Sequence, residues 1–89
     1  MTTAVATKFE IQVLYNGVTE RLSVEGHEQV KAVLERAMNA FHITQNRHIL
    51  ALFRPDGTEV AEGQSVTQAG IVPGELLGLR PSAVKGGRR

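Results

Sequence analysis

A strictly alternating run of apolar and polar residues near the start of the chain constrains its fold more than any other feature. The apolar positions of this run fall on one side of an extended strand and are Phe9, Ile11, Val13 and Tyr15. Asn16-Gly17 follows at once, and this pair tolerates the positive φ angles of a type I′ turn best. A second alternating run over 18–24 turns Leu22 and Val24 inward. The two runs predict a β-hairpin with one apolar face.

After Gly26 the spacing of apolar residues changes from that of a strand to that of a helix. The apolar residues that recur on one helical stripe are Val30, Val33, Leu34, Ala37, Met38 and Phe41. We expect a helix over 28–41 that crosses back over the hairpin. Glu28 would then lie in the first turn, where the helix dipole favours an anion.

Two more strands are expected in the second half of the chain. Residues 49–53 predict a third strand, and the turn after it contains Pro55 and Gly57. Residues 58–60 could add a short edge strand. The last strand is expected over 75–80, and its density of apolar residues is typical of a strand in the middle of a sheet.

The turns between these strands carry their own signals. Ser65 and Gln68 have the spacing of a capping box, which would cap a single turn through Ala69. The turn before the last strand should place Gly74 at positive φ.

The order β-β-α-β-(β)-turn-β predicts an α+β fold. Because only one face of the hairpin is apolar, the helix should pack on one face of a mixed sheet. A right-handed crossover would place the last strand beside the first. We therefore expect one domain over 8–81, preceded by a disordered leader over 1–7 and followed by a flexible tail over 82–89.

Size and charge exclude several classes of protein. A chain of 89 residues has room for one modest core, and without cysteine it forms neither disulfides nor thiolate sites. The net charge of +1 comes from scattered basic residues, which argues against a nucleic-acid partner. The longest apolar run, 49–53, is too short to cross a membrane, and 1–7 lacks the pattern of a signal peptide. These features predict a soluble cytoplasmic protein.

No group of residues has the pattern of a catalytic or metal site. The histidines, which lack the spacing of metal ligands, are His27, His42 and His48. The serines of the chain, which lack a histidine at a recognisable spacing, are Ser23, Ser65 and Ser82. Glu59 and Glu62 are expected to be solvated acids in turns. The sequence therefore predicts a protein that is not an enzyme and holds no metal or cofactor.

The end of the chain carries Gly86-Gly87 followed by Arg88-Arg89. Without a Cβ atom, a glycine pair can lie extended in a channel too narrow for side chains. A glycine carboxylate is also the least hindered acyl group that a peptide can offer. Flexible linkers use the same pair, so from the residues alone both interpretations stay open.

Over about 9–87 the sequence resembles the ubiquitin-like branch of the β-grasp superfamily. Glu28-Gln29-Val30-Lys31-Ala32 is similar to Glu-Asn-Val-Lys-Ala in the helix of ubiquitin. An apolar strand ending in Phe53 follows, and Glu62-Gly63-Gln64-Ser65-Val66 resembles Asp-Gly-Arg-Thr-Leu of ubiquitin. Ile71 then leads to the last strand and to the final glycine pair. Among its relatives the chain looks most like the bacterial ubiquitin-like proteins encoded beside their own activating, conjugating and protease enzymes.

The resemblance implies a β-grasp fold and a protein modifier. A protease would remove Arg88 and Arg89, after which an E1-like enzyme would use ATP to activate the Gly87 carboxylate. An E2-like enzyme would then transfer Gly87, with Gly86 before it, to covalent target proteins. Arg88-Arg89 could also be a solvated tail or an expression artefact.

The lysines limit the formation of chains of the modifier itself. Lys8 and Lys85 are the candidate acceptors for an isopeptide bond, whereas the resemblance predicts that Lys31 is largely buried.

The resemblance also predicts three differences from ubiquitin and leaves two other functions open. Arg80 stands where ubiquitin has a valine of its receptor-binding patch, Gly78 stands at the neighbouring histidine, and the tight Asn16-Gly17 turn stands where ubiquitin has a loop that carries a leucine. Receptor binding of the eukaryotic type is therefore not expected. One alternative is a sulfur carrier for cofactor biosynthesis with a thiocarboxylate at Gly87, although such carriers usually end at the second glycine. The other is a ubiquitin-like domain that binds partners non-covalently.

Overall fold

The computed structural model describes residues 8–82 of the chain. These residues form a four-stranded mixed sheet with one α-helix on one face. The elements in chain order are β1 (Lys8–Tyr15), β2 (Val18–Glu25), α1 (Val30–Ala40), a 3₁₀ turn (Arg47–Ile49), β3 (Leu50–Phe53) and β4 (Leu76–Pro81). The strands lie in the order β2-β1-β4-β3. β4 runs parallel to β1 and antiparallel to β3. The predicted fold class and the central position of the last strand are both confirmed.

The hairpin forms as the alternation predicts. Asn16 and Gly17 have φ angles of 54° and 83°, the two positive angles that a type I′ turn requires. Tyr15 and Val18 pair directly across this turn. Among the inward positions, Ile11, Val13 and Val24 are buried, and Phe9, Tyr15 and Leu22 are half-buried against them. The hairpin therefore supplies one wall of the core.

The helix begins at Val30, two residues after the expected start at about Glu28. The backbone N–H groups of Val30 and Lys31 donate to carbonyls of the 62–64 loop at 2.9 and 3.3 Å. The first N–H groups of a helix have no partner inside it and are often bonded by the residues just before the helix. Here a loop that is distant in sequence accepts these hydrogen bonds instead. Glu28 lies before the helix, where its carboxylate accepts hydrogen bonds from the Glu25 backbone N–H and from Arg36.

The helix ends at Ala40, and Phe41, expected inside it, is the residue that caps it. The Phe41 N–H still donates to the carbonyl of Ala37 at 3.1 Å. The Phe41 ring packs on Tyr15 of the hairpin, with 5.3 Å between ring centroids. The aromatic pair thus joins the end of the helix to the tip of β1.

The core lies between α1 and the inner face of the sheet, and the loop after β3 closes it. The buried residues contributed by the helix are Val30, Val33, Leu34, Ala37 and Met38. Those contributed by the four strands include Ile11, Val13, Val24, Leu50, Leu52, Leu77 and Leu79. Val60, Val66, Ala69 and Ile71 complete the core from the long connection between β3 and β4. The helical stripe predicted from the sequence is therefore core.

The third strand begins at Leu50 because residues 47–49 form the 3₁₀ turn. The short edge strand considered over 58–60 does not form, and an isolated bridge joins Phe53 to Glu59 instead. The backbone N–H of Val60 donates to Leu52, after which a turn at 61–64 takes the chain toward the start of the helix. The pairing is therefore too short to make a strand.

The turns predicted before the last strand are present. The Ser65 hydroxyl accepts from the N–H of Gln68 at 3.1 Å, and the Gln68 side chain accepts from the N–H of Ser65 at 3.0 Å. This is the reciprocal pair of a capping box. Gly74 has a φ of 78°, as expected.

No helix within residues 8–82 has the length and apolar character needed to span a bilayer.

Candidate functional site

The residues that the sequence singles out for conjugation lie beyond the described part of the chain. They are Gly86, Gly87, Arg88, Arg89 and the candidate acceptor Lys85, and the leader over 1–7 lies outside it as well. The structure therefore informs on the point from which these residues extend and on the surface around it.

Ser82, the first residue of the predicted tail, is firmly held by the folded body. Its side chain and backbone are only 2% exposed. The Ser82 N–H donates to the carbonyl of Ile49 at 2.7 Å, and its hydroxyl donates to Oε1 of Glu59 at 2.8 Å. Glu59, expected to be a solvated acid, is half-buried and serves as this acceptor. The folded body thus extends through Ser82.

A groove crosses the outer face of the sheet, opposite the helix. Leu14 of β1 and Phe53 of β3 flank Gly78 of β4, because both pair directly with it in the strand register. Leu14 and Leu76 are 38% and 40% exposed although both are large apolar residues. The groove encloses about 550 Å³ over these side chains. It is the apolar region of a sheet face that otherwise carries polar and charged residues.

Two arginine side chains, Arg54 and Arg80, line the groove. The guanidinium carbon of Arg80 lies 4.3 Å from the centroid of the Phe53 ring, the geometry of a cation–π contact. Arg54 pairs with Glu75, with 3.6 Å between Nη1 and Oε2. Arg80, by contrast, forms no ion pair with any residue in the range 8–82. The partner of Arg80 within this range is therefore the Phe53 ring.

Asp56 is the acidic residue of the groove lining. Its carboxylate accepts a hydrogen bond from the N–H of Thr58 at 2.9 Å. This hydrogen bond, with a smaller contribution from the charge of Arg54, holds the pKa of Asp56 below its ordinary value of 3.8. Asp56 is therefore ionised near neutral pH and already has its donor within the turn.

Sequence reasoning missed this groove. The resemblance to ubiquitin placed Gly78 and Arg80 where an apolar patch would be lost, yet Leu14, Leu76 and Phe53 provide apolar walls around them. Leu14 and Leu76 carried a readable signal, since each is an apolar residue on the outward side of a strand whose inward side is already apolar. Which of them would meet depends on the register between β1 and β4, which the sequence does not give.

Among the lysines, Lys8 and Lys31 are both exposed. The expectation that Lys31 is buried is wrong, because it lies on the solvent side of α1, away from the core stripe. Both lysine side chains within residues 8–82 are thus exposed.

The histidines are exposed, and none of them joins a potential metal site. Nε2 of His27 lies 3.1 Å from Oε1 of Glu25, and this is a pair at the surface. Within residues 8–82 no three histidine, aspartate or glutamate side chains come together in a way that could hold a metal ion. Ser65 acts in the capping box and Ser82 in the contact with Glu59, so both have structural partners.

Comparisons with known proteins identify the fold. No protein-family model and no curated protein matches the sequence. Among solved structures, a de novo designed protein based on ubiquitin has a TM-score of 0.75 at 18% identity, covering 92% of this chain and 98% of the designed chain. The N-terminal ubiquitin-like domain of the 4931431F19Rik protein has a TM-score of 0.72 at 13% identity, covering 100% of this chain and 90% of that one.

A third structure, AtBAG1 in complex with HSP70, has a TM-score of 0.72 at 10% identity. The match covers 86% of this chain and 42% of that one. All three likenesses agree with the mixed sheet and single helix described above. The chain has the ubiquitin-like β-grasp fold.

Proposed function

We propose that this chain is a ubiquitin-like protein modifier, cleaved after Gly87 and joined to target proteins through the Gly87 carboxylate. An E1-like enzyme would convert the carboxylate and ATP to an acyl-adenylate and pyrophosphate. Its cysteine would then displace AMP to form a thioester. After transfer to an E2-like enzyme, an acceptor amine would displace the thiol and form an isopeptide bond.

The observation that carries this proposal is the anchorage of Ser82. Gly86 and Gly87 follow it by four and five residues. Five residues span at most about 18 Å when fully extended. An enzyme that grips the folded body would therefore find Gly87 within a fixed and short radius. The folded body provides the surface that the partner enzymes bind, while those enzymes supply the catalysis.

The exposed lysines of this protein determine where a second copy of the modifier could be attached. Lys8 and Lys31 are exposed and lie on different elements, β1 and α1. Lys85 lies within the segment that must enter the enzyme. We propose Lys8 and Lys31 as the acceptors if the modifier is joined to itself.

Tryptic digestion offers a direct test. Lys85 immediately precedes Gly86, so trypsin cuts after Lys85 and would leave Gly86-Gly87 on each modified lysine. The full chain with an N-terminal affinity tag is expressed in cells of its source and purified under denaturing conditions. Mass spectrometry should then find diglycine on lysines of co-purified proteins. A chain truncated after Gly86 should give none.

A Lys85→Ala variant makes the test specific to this chain. The next tryptic site toward the N-terminus, Arg80, is followed by Pro81 and resists cleavage. The remnant on a genuine target must therefore become longer in this variant, whereas diglycine from another modifier would not change. A remnant that has the same length in Lys85→Ala as in the wild type, or no remnant at all, contradicts the proposal.

The same preparations separate the two alternatives. A sulfur carrier would show, in the purified protein, the mass gain of one oxygen-to-sulfur exchange at the Gly87 carboxyl group. A domain that acts by non-covalent binding would keep its activity after removal of Gly87. Neither outcome is compatible with conjugation through Gly87 as the main activity.

A further inference from the structure

We propose that Arg36 and Glu28 cap the outer edge of β2 and prevent two copies of this chain from pairing strand to strand along that edge. Without this cap, β2 would be a site of self-association. The inference is independent of the chemistry at Gly87, because it concerns only the folded body. It rests on the edges of the sheet, on the contacts of Arg36 and on the charges along β2.

The two edge strands of the sheet, β2 and β3, are protected differently. Backbone from the segment 58–60 lies along β3, where the Val60 N–H donates to the Leu52 carbonyl at 2.8 Å. Within residues 8–82 no segment pairs with the outer edge of β2, which is eight residues long. Such an edge presents unpaired N–H and C=O groups, to which another strand can add.

Alternate residues of β2 direct their backbone groups toward the outer edge. In an antiparallel pair, two residues opposite each other either exchange both hydrogen bonds or exchange none. Gln12 of β1 donates its N–H to the Glu75 carbonyl at 2.9 Å, on the side away from β2. Its partner Arg21 must therefore direct its backbone groups outward, and so must Ser23 and Glu25, which follow at intervals of two.

The side chains of Glu28 and Arg36 occupy two of these outward groups. Nη2 of Arg36 donates to the Ser23 carbonyl and, at 3.1 Å, to Oε1 of Glu28. The same oxygen of Glu28 accepts from the Glu25 N–H at 3.3 Å. The Glu28 side chain is only 22% exposed, so the contact is partly shielded from water. Hydrogen bonds that involve charged groups are the stronger ones, and an added strand would have to break them.

The sequence of β2 is complementary to a second copy of itself in one antiparallel register. With Ser23 opposite Ser23, Arg21 of each copy lies opposite Glu25 of the other, and such opposite charges stabilise a strand pair. The same register places Leu22 opposite Val24. It requires the Ser23 carbonyl and the Glu25 N–H, so the cap and the pairing exclude each other. The pairing has two-fold symmetry and closes as a dimer.

Sedimentation equilibrium of the full chain tests the proposal. Arg36→Ala and the double variant Glu28→Ala/Arg36→Ala should each dimerise about tenfold or more tightly than the wild type, because they release charge-assisted hydrogen bonds that compete with dimerisation. Lys31→Ala is the matched control. It removes the same charge from the same helix, and Lys31 is exposed and forms no ion pair within residues 8–82. It should sediment like the wild type.

A second substitution locates the interface. Adding Arg21→Glu to Arg36→Ala would place glutamates opposite each other and should reverse the gain in dimerisation. Adding Glu25→Arg as well would restore opposite charges and should restore the dimer. In Arg36→Ala alone, hydrogen exchange of the Ser23 amide should slow as the protein concentration rises, because this N–H is bonded in the dimer.

Three outcomes would overturn the proposal. The first is that both cap variants sediment as the wild type does. The second is that they dimerise but Arg21→Glu leaves the dimer unchanged, which would place the contact elsewhere. The third is that Lys31→Ala dimerises as tightly as Arg36→Ala, which would attribute the effect to net charge. If thermal unfolding shows that Arg36→Ala does not fold, Arg36→Gln replaces it, and the same criteria apply.

Discussion

The hydroxyl of Ser82 donates a hydrogen bond of 2.8 Å to the carboxylate of Glu59, residues that lie 23 positions apart in the sequence. The contact joins the end of the central strand to the segment that follows β3. Ser82 is buried, so its hydroxyl has exchanged water for a charged acceptor. The bond fixes the residue from which the glycine-bearing segment extends.

Replacing Ser82 with alanine should lower the free energy of unfolding by about 1–3 kcal/mol, because the half-buried carboxylate of Glu59 loses the hydroxyl donor. Urea unfolding measures this loss, and hydrogen exchange of the residue 82 amide should accelerate. Ser23→Ala is the control, since the Ser23 hydroxyl forms no hydrogen bond within residues 8–82. Equal stabilities of the two variants would show that the Ser82 contact contributes little.

Two adjacent leucines of β4 should differ sharply when shortened. Leu77 is 0% exposed on the core face, and Leu76 is 40% exposed on the groove face. Leu77→Ala should destabilise by about 2–5 kcal/mol through lost burial and a cavity, whereas Leu76→Ala should cost less than about 1 kcal/mol. Chemical denaturation of both variants checks the difference. Similar losses would mean that the strand faces are assigned incorrectly.

The capping box should account for a measurable share of stability. Ser65→Ala removes the oxygen that accepts from the Gln68 N–H, and we expect a loss of about 1 kcal/mol. Thermal unfolding monitored by circular dichroism provides the measurement. Thr67→Ala lies in the same turn and makes no side-chain hydrogen bond within residues 8–82, so it should behave like the wild type.

Asp56 should make the stability of the fold decrease as the pH becomes acidic. Its folded-state pKa is lowered, so its ionisation stabilises the fold above the ordinary value of 3.8 and this contribution disappears as pH falls through the folded pKa. The wild type should therefore exceed Asp56→Asn in thermal midpoint at about pH 6, and the gap should shrink by about pH 2. A gap that stays constant over this range would rule out the effect.

Features encoded by neighbouring residues could be predicted from the sequence. The alternation of β1 with Asn16-Gly17 specifies the hairpin locally, and the stripe of α1 specifies which helix face is buried. Features that depend on distant partners could not. The helix starts at Val30 because Gln29 is extended and bridges to Ser65, and Ser82 is held because Ile49 and Glu59 accept its hydrogen bonds.

The candidate site follows the same division. Gly86-Gly87 is legible in the sequence because it is a local motif. The groove is not, since Leu14, Phe53 and Gly78 meet only through the register of three strands. A shift of one residue in any of these pairings would place a different set of side chains on the outer face.

The position of β4 between β1 and β3 also constrains the order in which the protein can assemble on the ribosome. The β1–β2 hairpin can form as soon as its own residues leave the exit tunnel, but without β4 it shares no strand pairing with β3. The two halves of the sheet therefore cannot join until residues 76–82 have also left the exit tunnel. Such late, long-range pairing slows folding and exposes nascent chains to aggregation. The emergence of β4 therefore completes the pairing of all four strands.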